Sequence, residues 1–215
     1  MNIVVVDYGI GNVQSIFNAL SQFKDINITL TDKKSEILNA DGIILPGVGA
    51  FRRAMEELNK RNLPNILKKY IREDKPLLGI CLGMQLLFES SEEFGHTEGL
   101  GFIKGKVVHF PNNLSGKLPH VGWKSLIKQE ESLNTTLFKG AKNDCNYYFV
   151  HSYICIPGSQ DIITSKTEYS GINFCSSIQQ GNMHACQFHP EKSANDGLNI
   201  LKNFIEIVKT KNLKR

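Results

Sequence analysis

The segment Pro76-Leu-Leu-Gly-Ile-Cys81-Leu-Gly-Met-Gln85-Leu-Leu-Phe-Glu89 constrains the fold of this chain more than any other. A short apolar run, Leu77 and Leu78, leads into Cys81 between Gly79 and Gly83, and good helix formers follow from Met84 to Phe88. Gly-x-Cys-x-Gly is the thiol version of the nucleophile elbow, a strained strand-to-helix turn that presents a nucleophile at the end of a sheet. Side chains flanking such a turn would collide with neighbouring backbone, which accounts for both glycines. Cys81 then stands at a helix N-terminus, where unpaired N–H groups and the helix dipole favour thiolate over thiol. A buried strand cysteine that falls by chance between glycines fits the same letters, so the rest of the chain has to decide.

The flanking sequence supplies the parallel sheet that an elbow needs. Asn2-Ile-Val-Val-Val-Asp7 reads as a strand buried on both faces. Tyr8-Gly9-Ile10-Gly11-Asn12 is a turn, and Val13, Ile16, Phe17 and Leu20 follow at helical spacing. Gly9-x-Gly11 lacks the third glycine of a dinucleotide fingerprint. Ile26 to Leu30 predicts a second strand, and Asp41 to Pro46 a third that ends in Gly47-Val48-Gly49-Ala50-Phe51. Met55, Leu58, Ile66 and Ile71 restore helical periodicity, interrupted near Pro64. Strands alternating with helices imply a parallel sheet covered on both faces, with ligands at the carboxyl ends of its strands. Gly47 to Phe51 and Cys81 both fall at such ends.

After Ser90 the texture changes to glycine and β-formers. Gly99 to Pro111, Val121 to Ile127, Tyr147 to Ile156 and Ile162 to Tyr169 read as antiparallel strands. Gly181 to Phe188 returns to the core, Ser193 resembles an N-cap, and Leu198, Leu201, Phe204, Ile205 and Val208 form an apolar stripe. No linker or repeat interrupts the chain. The expectation is one α/β domain over 1–215, with a central mixed, mostly parallel sheet flanked by helices and an added antiparallel β region.

A second polar cluster, Gln187-Phe188-His189-Pro190-Glu191-Lys192-Ser193, can complete a cysteine nucleophile. Pro190 pushes His189 into an extended conformation, and residues i and i+2 of an extended segment project together. A thiolate needs an imidazole to shuttle its proton, and the imidazole needs a carboxylate to hold its tautomer. His189 and Glu191 supply both. Read as a metal pair, His-x-Glu has no third ligand in view. A structural histidine beside a surface glutamate is the plainer alternative.

Charge and cysteine usage exclude several classes. The net charge of +4 over 215 residues comes with scattered lysines, which argues against nucleic acid. Lys209, Lys211, Lys214 and Arg215 read as a solvated helix end. No apolar run approaches ~18 residues and no leader is evident, so the expected setting is cytoplasmic, away from membranes, with the five cysteines reduced. Their spacing has no Cys-x-x-Cys pair, and no metal or cofactor is expected. Asn27-Ile-Thr, Asn113-Leu-Ser and Asn134-Thr-Thr match the glycosylation pattern but carry no weight without secretion. No Walker loop is present.

Leu45-Pro-Gly-Val-Gly-Ala-Phe51, Gly79-Ile-Cys-Leu-Gly-Met-Gln85 and Phe188-His-Pro-Glu-Lys-Ser193 together resemble the class I, or triad, glutamine amidotransferases, from Asp7 to Phe204. Asp7-Tyr-Gly-Ile-Gly-Asn12, Leu118-Pro-His-Val-Gly-Trp123 and Tyr148-Phe-Val-His-Ser-Tyr153 are most similar to one branch of that family, the glutaminase subunits of imidazole glycerol phosphate synthases of histidine biosynthesis. Lys124 departs from the Asn expected after Gly122-Trp123 in that branch, at a segment that faces the partner.

The resemblance implies roles. Cys81 attacks the side-chain amide of L-glutamine, His189 moves the proton, and Glu191 orients His189. Leu82 and the loop containing Gly47 and Gly49 supply oxyanion N–H groups. Gln85 and Glu93 bind the substrate's α-groups, and the backbone of His151, Ser152 and Tyr153 lines it. Tyr8, Gly9, Asn12, Pro119, His120, Trp123 and Lys124 belong to the docking face. The implied partner is a (β/α)8-barrel cyclase in a heterodimer, which takes ammonia through an internal channel. It would yield imidazole glycerol phosphate and an aminoimidazole carboxamide ribotide. A paralogous glutaminase feeding another acceptor, a stand-alone γ-glutamyl cysteine hydrolase, and a non-catalytic binding protein with a relic triad remain alternatives.

Overall fold

A computed structural model describes residues 1–128, 137–142 and 145–213. The sequon at Asn134 and the basic residues Lys214 and Arg215 lie outside them. β1 (Asn2–Val6) is buried from Ile3 onward, as its unbroken apolar run requires. α1 (Val13–Leu20) follows the glycine turn, with the Asn12 side chain accepting from Ser15 N. β2 (Asn27–Thr31) pairs in parallel with β1, Asn2 opposite Asn27. β3 (Gly42–Leu45) pairs with the other edge of β1. Between β2 and β3 lies α2 (Lys34–Asn39), which the sequence pattern does not announce because Ile37 is its single buried residue.

α3 (Phe51–Lys60) and α4 (Leu63–Arg72) bear out the helical periodicity, but the break precedes Pro64. It falls at Asn62, which adopts a left-handed conformation with φ 55°. Pro64 instead lies in the first turn of α4, where an N–H has no helical acceptor to lose. β4 (Leu77–Ile80) runs into α5 (Leu82–Leu86). The helix stops two residues short of the sequence expectation, because Phe88 begins β5 (Phe88–Ser91), which pairs with β6 (Thr97–Glu98).

The antiparallel region contains β7 (Ile103–His109), β8 (His120–Ser125), β9 (Ile127–Lys128), β10 (Asn146–His151), β11 (Tyr153–Pro157), β12 (Ile163–Tyr169) and β13 (Ile172–Gln180). The run expected as one strand from Tyr147 to Ile156 breaks at Ser152. β10 pairs with β8 in a separate two-stranded ribbon, whereas β11 joins the main sheet beside β7 and β13. β14 (Met183–Cys186) returns to the core, parallel to β4, and α6 (Ala194–Asn212) closes the described chain.

Among the described residues the main sheet has twelve strands. Its path runs β2-β1-β3-β4-β14-β13-β11-β7-β5-β6, with β12 beside β13 and β9 beside β12. One face packs on α2 to α5 through Tyr8, Phe51, Leu58, Tyr70 and Met84. The other packs on α1 and α6 and on the ribbon through Ile16, Phe149, Phe188 and Phe204. Leu45 pairs with Gly79, and Cys186 with Ile80. This register brings the carboxyl ends of β3, β4 and β14 side by side. The Gly47 loop, Cys81 and the His189 segment therefore meet at one edge of the sheet.

Candidate active site

Cys81 is the residue between β4 and α5, with φ 54° and ψ −112°. A non-glycine residue in this region is strained, and such strain persists only where its surroundings enforce it. The enforcement is visible on both sides. A Cβ on Gly83 would lie 1.9 Å from the Leu45 carbonyl oxygen, and one on Gly79 would lie 3.0 Å from that of Gly83. Cys81 N donates to Cys186 O at 2.8 Å, which docks the elbow against the end of β14. The thiol is free and 6% exposed.

His189 Nδ1 donates to Glu191 Oε1 at 2.8 Å, with both side chains buried. The pair forms as expected, but the extended-strand reason does not hold through Glu191. His189 is extended, and Pro190–Lys192 then turns as a 3-10 segment that carries the carboxylate back to the ring. Backbone ties hold the ring in place. His189 N donates to Tyr148 O at 2.9 Å, Ser193 Oγ donates to His189 O at 2.6 Å, and Tyr148 N donates to Ser193 Oγ at 2.9 Å. Ser193 does precede α6, but its hydroxyl clamps His189 to β10 and makes no cap bond.

Because a carboxylate only accepts, Nδ1 carries the proton, and Nε2 is the nitrogen left for Cys81. Nε2 makes no hydrogen bond of ordinary geometry. Burial pushes the His189 pKa down, but the charges of neighbouring Cys81 and Glu191 outweigh it and raise the value to about 10. A ring that stays protonated beside a sulfur is the condition for a thiolate–imidazolium pair.

The other expected residues divide. Gln85 is 6% exposed, and its Nε2 donates to Tyr153 O at 3.2 Å and to Gln187 Oε1 at 3.0 Å. It is an internal strut, and neither the solvated helix face nor an amide group free for substrate describes its Nε2. Glu93 Oε2 accepts from Phe51 N at 2.6 Å, so one carboxylate oxygen is engaged at the start of α3. Val150 O is 4.0 Å from Cys81 Sγ, which brings the end of β10 and the Ser152 break against the nucleophile. His151 is buried, its Nδ1 donating to Tyr153 O. Gly47 is wedged, since a Cβ there would lie 2.8 Å from the Tyr8 hydroxyl and 2.9 Å from Leu82 Cβ. Gly49 has φ 90° and open space around it.

The expected docking residues are not all exposed. Trp123 is 51% exposed, which rules out a core tryptophan, and Val121, Pro119 and Gly9 are exposed with it; Asn12 is half-buried. Tyr8 is fully buried and donates to Pro46 O, so its side chain supports the Gly47 loop from below. His120 is also buried, and Lys124 lies with its ammonium 5.8 Å from the centre of the Tyr169 ring. The strand alternation of β8 turns His120 and Lys124 inward and Val121 and Trp123 outward. Sequence reasoning gave no role to Gln187, whose Nε2 lies 3.7 Å from Cys81 Sγ. A polar residue between buried Cys186 and Phe188 is the signal that marks it. Among the described residues no group of His, Cys, Asp and Glu is placed to hold a metal ion, and no helix is long and apolar enough to cross a membrane.

The family model for class-I glutamine amidotransferases matches residues 4–208. The imidazole glycerol phosphate synthase subunit HisH of Moorella thermoacetica is 43% identical over 207 residues, covering 96% of this chain and 95% of the relative. That of Aquifex aeolicus is 44% identical over 204 residues, covering 95% and 96%. The chloroplastic imidazole glycerol phosphate synthase hisHF of Arabidopsis thaliana is 46% identical over 209 residues, which are 94% of this chain but 34% of that protein. Among solved structures, PurLQS from Thermotoga maritima superposes with a TM-score of 0.72 at 19% identity, over 96% of this chain and 98% of that one, a likeness of fold alone. The elbow, the His189–Glu191 pair and these relatives agree: the chain belongs to the class I glutamine amidotransferases, in the family of imidazole glycerol phosphate synthase HisH subunits.

Proposed function

We propose that this chain is the glutaminase subunit of an imidazole glycerol phosphate synthase, releasing ammonia from L-glutamine for a second subunit. The observation that carries the chemistry is the strained, buried Cys81 beside a His189 ring whose Nδ1 is held by Glu191. In this reading the Cys81 thiolate attacks the side-chain amide carbon. The N–H of Leu82 and one from the Gly47–Gly49 loop take the developing oxyanion, a donor of this kind being worth roughly 3–4 kcal/mol. His189 gives its proton to the departing nitrogen, and ammonia leaves behind a γ-glutamyl thioester. His189 then takes a proton from water, which attacks the thioester, and glutamate and the thiolate are regenerated. Glu191 keeps its charge throughout and holds the ring.

The acceptor side belongs to the partner. We assign the partner as a (β/α)8-barrel cyclase that binds an imine of an aminated ribonucleotide. It would join ammonia to it, giving imidazole glycerol phosphate and an aminoimidazole carboxamide ribotide. Support comes from the plant relative, of whose length this chain matches only 34%, leaving room for a second unit in one polypeptide. The exposed Trp123 and Val121 support a docking face on β8. The whole chain is read as one glutaminase domain working in the cytoplasm.

The test is Cys81→Ala in the assembled complex. Synthesis from glutamine should vanish while synthesis from added ammonium persists. Glutamine hydrolysis retained by the variant would overturn the triad.

A further inference from the structure

Gln187 and Gln85 form a buried pair next to the nucleophile. We infer that Gln187 stabilises the Cys81 thiolate through a side-chain N–H, and that Gln85 is the positioning residue that sets which end of Gln187 faces the sulfur. This rests on the reading of Cys81 as the nucleophile and adds to it a donor other than His189.

The orientation follows from acceptors that cannot be reversed. Tyr153 O is a backbone carbonyl, so the end of Gln85 at 3.2 Å from it must be the NH2 group. That same NH2 lies 3.0 Å from Gln187, and the Gln187 atom facing it must therefore be the oxygen. The other end of the Gln187 amide, 3.7 Å from Cys81 Sγ, is then the NH2. Reversing either amide would set like ends against each other. His151 Nδ1 also donates to Tyr153 O, at 2.9 Å, so the carbonyl at the root of this chain of bonds is engaged twice.

Backbone pairing keeps Gln187 where it is. Its N–H donates to Ser176 O at 2.9 Å, and the preceding residue, Cys186, accepts from Cys81 N at 2.8 Å. Gln187 is 0% exposed. A buried amide is costly unless its polar ends are paired. Here one end is paired with Gln85 and the other with the sulfur.

Besides His189, the sulfur has two polar contacts of opposite sense. Val150 O, at 4.0 Å, can only accept, so it interacts with the protonated thiol. Gln187 Nε2 can only donate, so it favours the thiolate. The Gln85–Gln187 pair thus presents the sulfur with a fixed donor before glutamine arrives.

The experiment is the pH dependence of iodoacetamide alkylation of Cys81 in the full chain, read by mass spectrometry on the Cys81 peptide. Gln187→Met removes the donor at similar length and should move the midpoint upward by about one to two pH units. Gln187→Glu keeps an acceptor for Gln85 but turns a carboxylate toward the sulfur, and should move it further upward. Gln85→Met should move it upward by less than Gln187→Met. The order wild type, Gln85→Met, Gln187→Met, Gln187→Glu is one that loss of packing alone does not produce. An unmoved midpoint in both Gln187 variants overturns the proposal, and an unmoved midpoint in Gln85→Met overturns the part given to Gln85. Glutaminase activity persisting in Cys81→Ser would show that the nucleophile reading itself had failed.

Discussion

His120 Nδ1 lies 3.2 Å from His151 Nε2 across the register pair that joins β8 to β10. His151 Nδ1 donates to Tyr153 O, so its Nε2 accepts and His120 donates. Both rings are then neutral. Burial, helped by the Lys124 charge, pushes the His120 pKa down to about 4. Burial, set against the bond to Tyr153 O, brings His151 to about 3. Burial alone brings His184, on β14, to about 4.

These three rings predict acid sensitivity. Each has a folded pKa below the ordinary histidine value, so the unfolded chain binds protons that the folded one refuses. Their stability contribution is complete above about pH 6.5 and is lost as pH falls toward 4. His189 acts oppositely: its raised pKa gives a contribution present below about pH 6.5 and lost as pH rises toward 10. The urea midpoint should therefore drop between pH 7 and 4.5, and His184→Leu should flatten that drop. A steeper fall in the variant would reverse the sign assigned to His184.

Much of the site is legible in the sequence because it depends on residues with special backbones. Gly79 and Gly83 mark the elbow and Pro190 the extended His189, though not the 3-10 turn that returns Glu191 to the ring, and the positive φ of Cys81 is accommodated between both glycines. What is not legible depends on pairing across the sheet. Tyr147 to Ile156 is one β-forming run in the letters, but its halves find different partners. Ser152 marks the change only because Phe110 N bonds to its carbonyl. Tyr8 looks like a surface turn residue beside Gly9, yet it is buried because the Gly47 loop folds over it. Gln187 looks like an ordinary flank of His189 until the register of β14 with β4 sets it against Cys81.

The two members of the His189–Glu191 pair should differ in cost. His189→Ala removes the proton carrier and should slow glutamine hydrolysis by roughly 10²–10⁴-fold. Glu191→Gln keeps an oxygen for Nδ1 but removes the charge, and should slow it less. The same change removes one of the influences that hold the ring protonated up to about pH 10, so the alkaline limb of the rate profile should move to lower pH. Steady-state rates across pH for both variants check this; the reverse ranking would exchange their roles.

Trp123 and Lys124 are neighbours that face opposite ways, and docking should tell them apart. Trp123 is half-exposed, with its ring 6.0 Å from Tyr148, whose carbonyl holds His189 N. Aromatic anchors dominate interface energetics, so Trp123→Ala should weaken partner binding by about 30-fold. Lys124 lies over Tyr169, and Lys124→Asn should change affinity by less than about threefold. Titration of the partner, followed by the fluorescence of the sole tryptophan, measures the wild type and Lys124→Asn; calorimetry measures Trp123→Ala. Unaltered affinity in Trp123→Ala would remove β8 from the docking face.

The loop after β3 should hold the isolated chain at a low rate. Among the described residues no hydrogen bond fixes the amides of Gly47, Val48 or Gly49, and Val48 is 37% exposed. Gly49 has φ 90°, a conformation that side-chain-bearing residues rarely adopt. Turning over the Val48–Gly49 peptide would bring that φ to about −90°, which any residue tolerates, and would swing the Gly49 N–H by half a turn. If the swing completes the oxyanion site, glutamate release should rise by roughly 10²–10³-fold from the isolated chain to the complex with acceptor bound. Gly49→Ala separates strain from crowding, because a Cβ there meets nothing within 4 Å. It should penalise the resting loop and raise the rate of the isolated chain toward that of the complex. Equal turnover by isolated chain, complex and acceptor-bound complex would mean that the site is already assembled. A Gly49→Ala rate lowered equally in all three would mean that the loop works as it stands, with φ positive.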